Sequence, residues 1–351
     1  MDDIQNFQNV CIIDLGQLGD VLLSFPAILA IRKRFPTARI TVIAGKIPAQ
    51  FIGKLGLVDD VMPIDRVALL KGNKILSIGQ IFKFVAAVRR RKFDFVIDLH
   101  SLSESNLLGF LSGARTRLFA NRFGRSLNWL SNFRPVPPAE DKRIHLTDNY
   151  LAVLSPLGID KAERFVKIDA SAGEAGAVAK AALTRDGHSL VGMVIGAGHP
   201  SRRWPLERFA ESAQVLVGRG DTRIAVFLGP EEEDEVDQVK TLFPDSTTVI
   251  TGLDLVELTA AFSKVDLIVS NDTGPPHLAA LVGTPIVLII DERGPLRYLP
   301  MSRDIEVVRS GIIENIAVEE VLVAVEKSLS KKRGDDEEYP EKDQADQRKQ
   351  H

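Results

Sequence analysis

A polar segment between two apolar runs carries the residues best suited to bind an anionic ligand. Residues 270–277 read Ser-Asn-Asp-Thr-Gly-Pro-Pro-His and follow the apolar run 265–269. The run predicts a buried parallel strand, and residues 277–282 predict a helix. Open α/β sheets bind ligands at the C-terminal ends of strands, and a helix start favours phosphate. The segment therefore predicts a phosphate site, although an ordinary turn with a capping Asp would give the same pattern.

A second polar stretch follows another predicted strand and adds positive charge. Residues 196–205 read Gly-Ala-Gly-His-Pro-Ser-Arg-Arg-Trp-Pro, directly after the apolar residues 189–195. Arg202 and Arg203 could supply fixed charge to a diphosphate, whereas a solvated arginine pair in a loop is the alternative. Glu231, after the predicted strand 223–228, could accept hydrogen bonds from a ribose. The acidic run that begins there is also typical of a helix N-terminus.

Asp20 is the candidate general base. It follows the turn Gly16-Gln17-Leu18-Gly19 at the end of the first predicted strand, residues 9–15. A carboxylate at this position could act as a general base. It could equally cap a helix that starts at Val21.

Several common cofactor motifs are absent from the sequence. It contains no GxGxxG, no P-loop, no HExxH and no Asp-x-Asp. NAD binding, P-loop hydrolysis and a carboxylate-held metal therefore lack their usual sequence basis. We expect no metal and no cofactor, with the charge of a bound diphosphate met by Arg, Lys and backbone N–H groups.

Composition predicts a globular protein of two domains. The chain has 351 residues, of which 45% are hydrophobic and 26% charged, with a net charge of −3. A single cysteine, Cys11, excludes a disulfide framework or a cysteine-based zinc site. The acidic N-terminus lacks a signal-peptide pattern, and no apolar run approaches the roughly 20 residues of a membrane span. We expect a cytoplasmic protein whose membrane contact, if any, is peripheral.

One segment departs from the acidic balance of the chain. Residues 81–143 contain twelve Lys and Arg against five Asp and Glu. Such a basic segment suits an anionic acceptor or the anionic cytoplasmic leaflet. No feature of the sequence points to a nucleic acid partner.

Alternating strand and helix patterns divide the chain into two halves. Predicted strands span residues 9–15, 39–44, 58–64, 93–99 and 114–120, then 189–195, 223–228, 247–251, 265–269 and 286–290. This alternation predicts an α/β fold of two Rossmann-like domains with parallel sheets. The N-terminal domain would span residues 1–165 and the C-terminal domain 166–330. Residues 331–351 lack Val, Ile, Leu, Phe and Met, so we expect a disordered charged tail.

Three blocks of the sequence resemble glycosyltransferase family 9, the ADP-heptose:lipopolysaccharide heptosyltransferases and their relatives. The blocks are LGQLGDVLLSFPAILAIRKRFP, GAGHPSRRWPLERFAE and SNDTGPPHLAALVGTP. The resemblance extends over roughly residues 9–328. It implies a GT-B fold, in which two Rossmann-like domains face a central cleft. The first domain would bind the acceptor and the second the nucleotide sugar, and a last helix at about 313–329 would return towards the first domain.

The resemblance also implies an inverting, metal-independent transfer of heptose from ADP-heptose to an anionic glycolipid acceptor of the lipopolysaccharide core. By position in the three blocks, Asp20 would be the general base and Arg202 would contact the diphosphate. Glu231 would contact the ribose and Leu253 would lie near the adenine. The remaining donor-site residues would be Asp272, Thr273, Gly274 and His277.

The acceptor loop departs from the family pattern. Asp14 stands where many members carry Lys or Arg, and Gly16 and Gln17 stand where they carry Ser. Because this loop, with Gly19, borders the acceptor, the identity of the acceptor stays open. Two other functions also stay open: a transferase or epimerase acting on another nucleotide sugar, and a non-catalytic nucleotide-sugar-binding protein.

Overall fold

The computed structural model describes residues 7–65, 74–170, 183 and 187–333. Within these residues the two predicted parallel sheets are present, the first formed by strands between residues 9 and 119 and the second by strands between residues 189 and 309. Among the described residues, no helix is both long enough and apolar enough to cross a membrane.

The first sheet has five parallel strands in the order β3-β2-β1-β4-β5. They are β1 (Asn9–Asp14), β2 (Arg39–Gly45), β3 (Asp60–Ile64), β4 (Phe95–Asp98) and β5 (Thr116–Phe119). The helices are α1 (Leu18–Leu23), α2 (Phe25–Arg34), α3 (Lys46–Leu55), α4 (Lys74–Arg90), α5 (Ser103–Leu111) and α6 (Leu146–Ala152). The break between α1 and α2 falls at Ser24, and Pro26 lies in the first turn of α2, where a helix tolerates proline.

The second sheet has six parallel strands in the order β11-β10-β9-β6-β7-β8. They are β6 (Ser189–Val194), β7 (Thr222–Phe227), β8 (Thr248–Ile250), β9 (Leu267–Asn271), β10 (Ile286–Ile290) and β11 (Ile305–Arg309). The helices are α7 (Leu206–Gly218), α8 (Val236–Leu242), α9 (Leu255–Phe262), α10 (Pro275–Val282) and α11 (Val318–Arg333). The edge strand β11 was not predicted from the sequence.

Both faces of each sheet are covered, as continuous apolar strands require. In β1, Val10 and Ile12 point into one apolar cluster, and Cys11 and Ile13 point into another. The cluster that holds Val10 also includes Phe227 and Leu278 of the second domain. A single apolar core therefore runs through both domains.

The end of the chain differs from the expectation of a tail from residue 331. Lys331, Lys332 and Arg333 belong to α11. The ammonium groups of Lys331 and Lys332 lie 2.7 Å from Glu306 and 2.8 Å from Asp266, so ion pairs hold the last turn of the helix. The buried side chains of α11, such as Val321 and Val325, pack in the core of the second domain. Residues 334–351 lie outside the described residues.

Candidate active site

Asp20 lies in the first turn of α1, at the C-terminal edge of the first sheet. Its carboxylate accepts a hydrogen bond of 3.3 Å from the backbone N–H of Gln17, the residue before the helix. The helix begins at Leu18, so Asp20 closes the first turn instead of preceding a helix at Val21 as predicted. Burial raises the pKa of Asp20, and the negative charge of Asp14 raises it further. A raised pKa brings the carboxylate closer to the operating range of a general base.

Asp14 ends β1 and is fully buried beside Asp20. A Cβ atom on Gly16 would lie 3.1 Å from Asp14 Oδ1 and 3.3 Å from Asp20 Oδ2, so the two carboxylates flank this glycine. Asp14 Oδ1 also lies 3.6 Å from His100 Nδ1, whereas Asp14 Oδ2 has no hydrogen-bond partner among the described residues. The hydroxyl of Tyr150 is likewise buried and unpartnered there. These groups form a polar wall at the ends of β1 and β4.

Arg122 follows β5 and adds a positive charge to the same edge. Its guanidinium donates to the carbonyl of His100 at 2.7 Å and to Glu140 at 3.0 Å. Glu140 also accepts a bond of 2.8 Å from Arg297 of the second domain. Two guanidinium groups therefore share one carboxylate, so this cluster of three side chains carries a net positive charge.

Asn271, the last residue of β9, joins the two polar segments, residues 196–205 and residues 270–277. Its side-chain oxygen accepts a bond of 2.9 Å from the backbone N–H of Trp204, and its side-chain nitrogen donates to the carbonyl of Ile195 at 2.9 Å. Trp204 is fully buried, and its indole N–H donates to the carbonyl of Ile316. Asn271 thus fixes the loop after β6 against the end of β9.

A cavity of about 960 Å³ lies between the domains. Its first-domain wall includes Leu18, Phe51 and Lys54, and its second-domain wall includes the four predicted residues Glu231, Leu253, Thr273 and Gly274. Its apolar end comprises side chains of the second domain, namely Val194, Phe227, Ile250, Leu255, Val256, Leu258 and Phe262. A flat apolar ring fits this end, and a diphosphate fits the polar strand ends.

Arg202 and Asp272 line a second, smaller recess of about 340 Å³ next to Thr273. Arg202 is mostly exposed, and its Nη1 lies 3.9 Å from Asp272 Oδ2. Burial raises the pKa of Asp272, and the charge of Arg202 offsets part of that rise. Arg203, by contrast, is held in a bidentate pair with Glu235. Of the two arginines, Arg202 is the one free to meet a ligand.

The start of α10 offers fewer backbone donors than a typical helix. Its first two residues, Pro275 and Pro276, have no N–H group, and the N–H of His277 already donates to the carbonyl of Gly274. Gly274 occupies the N-cap position and no side-chain hydrogen bond caps the helix, so the alternative of a capping Asp is wrong. The amide donors left at this point are those of Thr273 and Gly274.

His277 faces the first domain. A Cβ atom on Gly19 would lie 3.1 Å from His277 Nε2, so a larger residue at position 19 would press on the imidazole. Burial lowers the pKa of His277 to about 4, which keeps the imidazole neutral at pH 7. His277 can therefore exchange hydrogen bonds but cannot supply positive charge to a phosphate.

The acidic run after β7 places two carboxylates at the cavity. Glu231 is exposed, whereas Glu232 is half-buried and accepts a bond of 3.0 Å from the N–H of Gly229. A Cβ atom on Gly196 would lie 2.3 Å from Glu232 Oε1. The structure thus adds Glu232 to the predicted Glu231 as a candidate contact of a ribose.

Sequence reasoning did not select Asn271, Glu232, His100 or Arg122. Asn271 ends β9, and the other three lie two to five residues after the ends of β4, β5 and β7, so position near a strand end was the available signal. The roles given to the predicted residues stay predictions. Among the described residues, no group of three His, Cys, Asp or Glu side chains is placed to hold a metal ion.

Known proteins similar to this chain include heptosyltransferases. The model of glycosyltransferase family 9 (heptosyltransferase) matches residues 81–324. The lipopolysaccharide core heptosyltransferase OpsX of Haemophilus influenzae is 25% identical over 307 residues, which cover 84% of this chain and 82% of that protein.

Solved structures give the same result for the fold. A family 9 glycosyltransferase of Veillonella parvula matches with a TM-score of 0.76 at 25% identity, over 93% of this chain and 98% of that one. The Escherichia coli heptosyltransferase WaaC, solved with ADP-2-deoxy-2-fluoro heptose, matches with a TM-score of 0.72 at 18% identity, over 91% and 99% of the two chains. The two domains therefore have the GT-B arrangement that the sequence predicted.

Proposed function

Because the chain belongs to glycosyltransferase family 9, we propose that it transfers a heptose from ADP-heptose to a sugar of the lipopolysaccharide core. The reaction is a single displacement that inverts the anomeric centre and needs no metal. The observation that carries the proposal is the interdomain cavity, which is lined by apolar side chains, by polar residues after the strands of the second sheet and by Leu18, which shares the first turn of α1 with Asp20.

The lining of the cavity supports the placement of the donor. The adenine occupies the apolar end beside Leu253, and the ribose meets Glu231 or Glu232. The diphosphate lies at the strand ends, where the Thr273 and Gly274 amides and Arg202 donate to it. The sugar then extends towards α1, whose Leu18 lies 3.4 Å from where a Cβ atom on Gly274 would be.

The position of Asp20 supports its role as the general base. The acceptor hydroxyl oxygen attacks the anomeric carbon, the bond from that carbon to the diphosphate oxygen breaks, and ADP leaves with the bonding electrons. Asp20 takes the hydroxyl proton. Arg202 and the two amides stabilise the charge that develops on the diphosphate.

The names of the relatives support the acceptor class. OpsX is named for the lipopolysaccharide core, and WaaC was solved with an ADP-heptose analogue. The basic segment of the first domain is suited to an anionic acceptor at the cytoplasmic face of a membrane. Asp14 stands where many family members carry a basic residue, and this distinguishes the polar wall of this chain from theirs.

A binding screen followed by a transfer assay tests the proposal. ADP-heptose should raise the melting temperature with EDTA present, and UDP-, GDP- and dTDP-sugars should not. Mass spectrometry should then detect one added heptose on a heptose-deficient lipopolysaccharide. A shift with another nucleotide sugar alone would overturn the donor assignment, and binding without transfer to any acceptor would favour a binding role.

A further inference from the structure

The first domain exposes large apolar side chains on adjacent elements. Phe82 on α4 is 71% exposed, Phe123 in the loop after β5 is 99% exposed and Trp129 is 79% exposed. Leu107 on α5 is also exposed. Large aromatic side chains exposed in this number mark a surface that meets an apolar partner.

These side chains belong to one surface. Helix α5 contacts both α4 and the short 3-10 helix Asn128–Leu130 that carries Trp129. Hydrogen bonds tie the loop to α5: Ser103 donates to the carbonyl of Arg125, and Asn106 accepts from the N–H of Leu127. We call the group Phe82, Leu107, Phe123 and Trp129 the aromatic face.

The aromatic face lies towards the acceptor side of the site. Helices that connect parallel strands run antiparallel to them, so the N-terminal halves of α4 and α5 lie at the carboxyl edge of the sheet. Phe82 and Leu107 lie at the midpoints of these two helices, so the aromatic face reaches from the middle of the sheet towards that edge. Phe123 directly follows Arg122, whose guanidinium contacts the carbonyl of His100 at that edge.

Positive charge accompanies the aromatic face. Lys83 and Arg125 are exposed, and neither forms an ion pair with another described residue. They belong to the segment 81–143, in which twelve basic residues face five acidic ones. Aromatic rings beside basic side chains are the combination that binds an anionic membrane surface.

We infer that the aromatic face is the surface with which this protein lies on an anionic lipid bilayer. Phe82, Phe123 and Trp129 enter the interfacial region, and Lys83 and Arg125 bind lipid phosphates. The bilayer would then present a lipid-anchored acceptor at the edge where Asp20 lies. The inference rests on the proposed function only in that the acceptor is anchored in lipid.

Charge decides between a bilayer and a second copy of the chain. A symmetric dimer through this face would place the same patch on both subunits, so Lys83 and Arg125 would meet their own copies. Like charges brought together in an interface oppose association. An anionic lipid surface neutralises them.

Trp129 provides a direct test. The chain has two tryptophans, and Trp204 is fully buried, so a change in exposed tryptophan emission reports on Trp129. Vesicles of phosphatidylcholine with phosphatidylglycerol should shift the emission to shorter wavelength and protect it from acrylamide. Pure phosphatidylcholine should do neither, and Trp129→Phe should lose the response.

A matched pair of variants tests the surface. Phe82→Ser with Phe123→Ser should weaken binding to the anionic vesicles at least tenfold in a flotation assay. Ile312→Ser with Val323→Ser removes exposed apolar side chains from the second domain and should bind like the wild type. ADP should raise the melting temperature of both variants equally, which checks the fold without any transfer assay.

Three results would overturn the inference. They are no binding of the wild type to the anionic vesicles at low salt, equal binding by the two paired variants, and a dimer in sedimentation that Phe82→Ser with Phe123→Ser converts to a monomer. Failure of heptose transfer with intact vesicle binding would count against the proposed function alone.

Discussion

The surroundings of Asp20 act on the protonation of its carboxylate in opposite directions. The N–H of Gln17 binds one oxygen and favours the charged form, whereas burial and the nearby Asp14 favour the neutral form. Burial and Asp14 have the larger effect, because the pKa of Asp20 is raised above its ordinary value. The same group can therefore close the first turn of α1 and still act as a base.

Asp20→Asn separates the two roles. Asn keeps the size and the hydrogen-bond acceptor of Asp but cannot take a proton, so we expect turnover to fall about 10²–10⁴-fold. Donor affinity should not change, because the donor motifs belong to the second domain. Steady-state kinetics and ADP titration measure the two effects, and turnover within a few-fold of the wild type would reduce Asp20 to a structural residue.

Asp14→Asn should change the pH dependence of transfer. After burial, Asp14 is the largest influence that raises the pKa of Asp20, while His100 and Arg122 lower it. Removing the negative charge of Asp14 lowers that pKa, so the acidic limb of the kcat/KM profile should move to lower pH. Asp94→Asn is the control. It makes the same charge change at a carboxylate that accepts hydrogen bonds from the N–H groups of Gln8 and Asn9 at the start of β1. Identical profiles for Asp14→Asn and wild type would contradict the coupling.

Arg202→Ala should weaken the binding of ADP more than that of adenosine. A charge-assisted bond to the diphosphate is worth about 1.5–3 kcal/mol, which is roughly 10–150-fold in Kd. Arg203→Ala is the matched control, because Glu235 already holds that side chain. Calorimetry compares the ligands, and equal losses for ADP and adenosine would remove Arg202 from the diphosphate site.

At the scale of elements, ten of the eleven described strands were predicted from the sequence and the edge strand β11 was not. Buried parallel strands such as Ile286–Ile290 are unbroken apolar runs, which sequence shows directly. The strand β11 reads IEVVR and lies at a sheet edge. Its polar residues interrupt the apolar run that predicts a buried strand. Helix α3 carries Pro48, which reads as a helix breaker although the first turn tolerates it.

The site was predictable wherever it follows a strand end in sequence. Asp20, Arg202 and Asp272 could be selected because each belongs to a motif next to an apolar run. The bond between Glu140 and Arg297 joins residues 157 positions apart, and no local pattern encodes it. The same holds for the approach of His100 to Asp14, which depends on β4 pairing with β1.

Gly16→Ala should damage catalysis through the geometry of the turn. Its Cβ atom would lie 2.6 Å from the Cβ of Asp20, so Asp20 must move. A displacement of about 1 Å at a reacting group can cost about 100-fold in rate. Gly198→Ala is the control, since nothing lies within 4 Å of its Cβ position. Wild-type turnover by Gly16→Ala would show that the loop adapts.

At the scale of the molecule, Glu140 links the domains through two guanidinium groups. Burial alone would raise its pKa, but the bonds from Arg122 and Arg297 outweigh burial and hold the pKa below its ordinary value of 4.5. A lowered pKa means that the folded state favours the charged form. The stabilisation is therefore present above pH 4.5 and is lost as the pH falls through the lowered pKa.

Glu140→Gln should destabilise the protein in a pH-dependent way. It leaves two nearly buried guanidinium groups without a counter-charge, which costs roughly 3–5 kcal/mol near neutral pH. The difference in unfolding free energy from the wild type should shrink at acidic pH, where Glu140 is protonated in both states. Glu163→Gln, at an exposed interdomain pair with Arg303, should cost little. Denaturant unfolding at pH 7 and pH 3.5 measures this, and a constant difference would contradict the assignment.

Because one apolar core runs through both domains, neither domain can readily be replaced by the corresponding domain of a relative. Val10 and Phe227 belong to one cluster, and Leu18 meets Gly274 across the cleft, so each half is shaped to its own partner. A chimaera that joins residues 7–165 to the donor half of a relative would bring unmatched surfaces together and would fold poorly. We therefore expect lineages of this family to acquire new donors by substitution within the cavity rather than by recombination of halves.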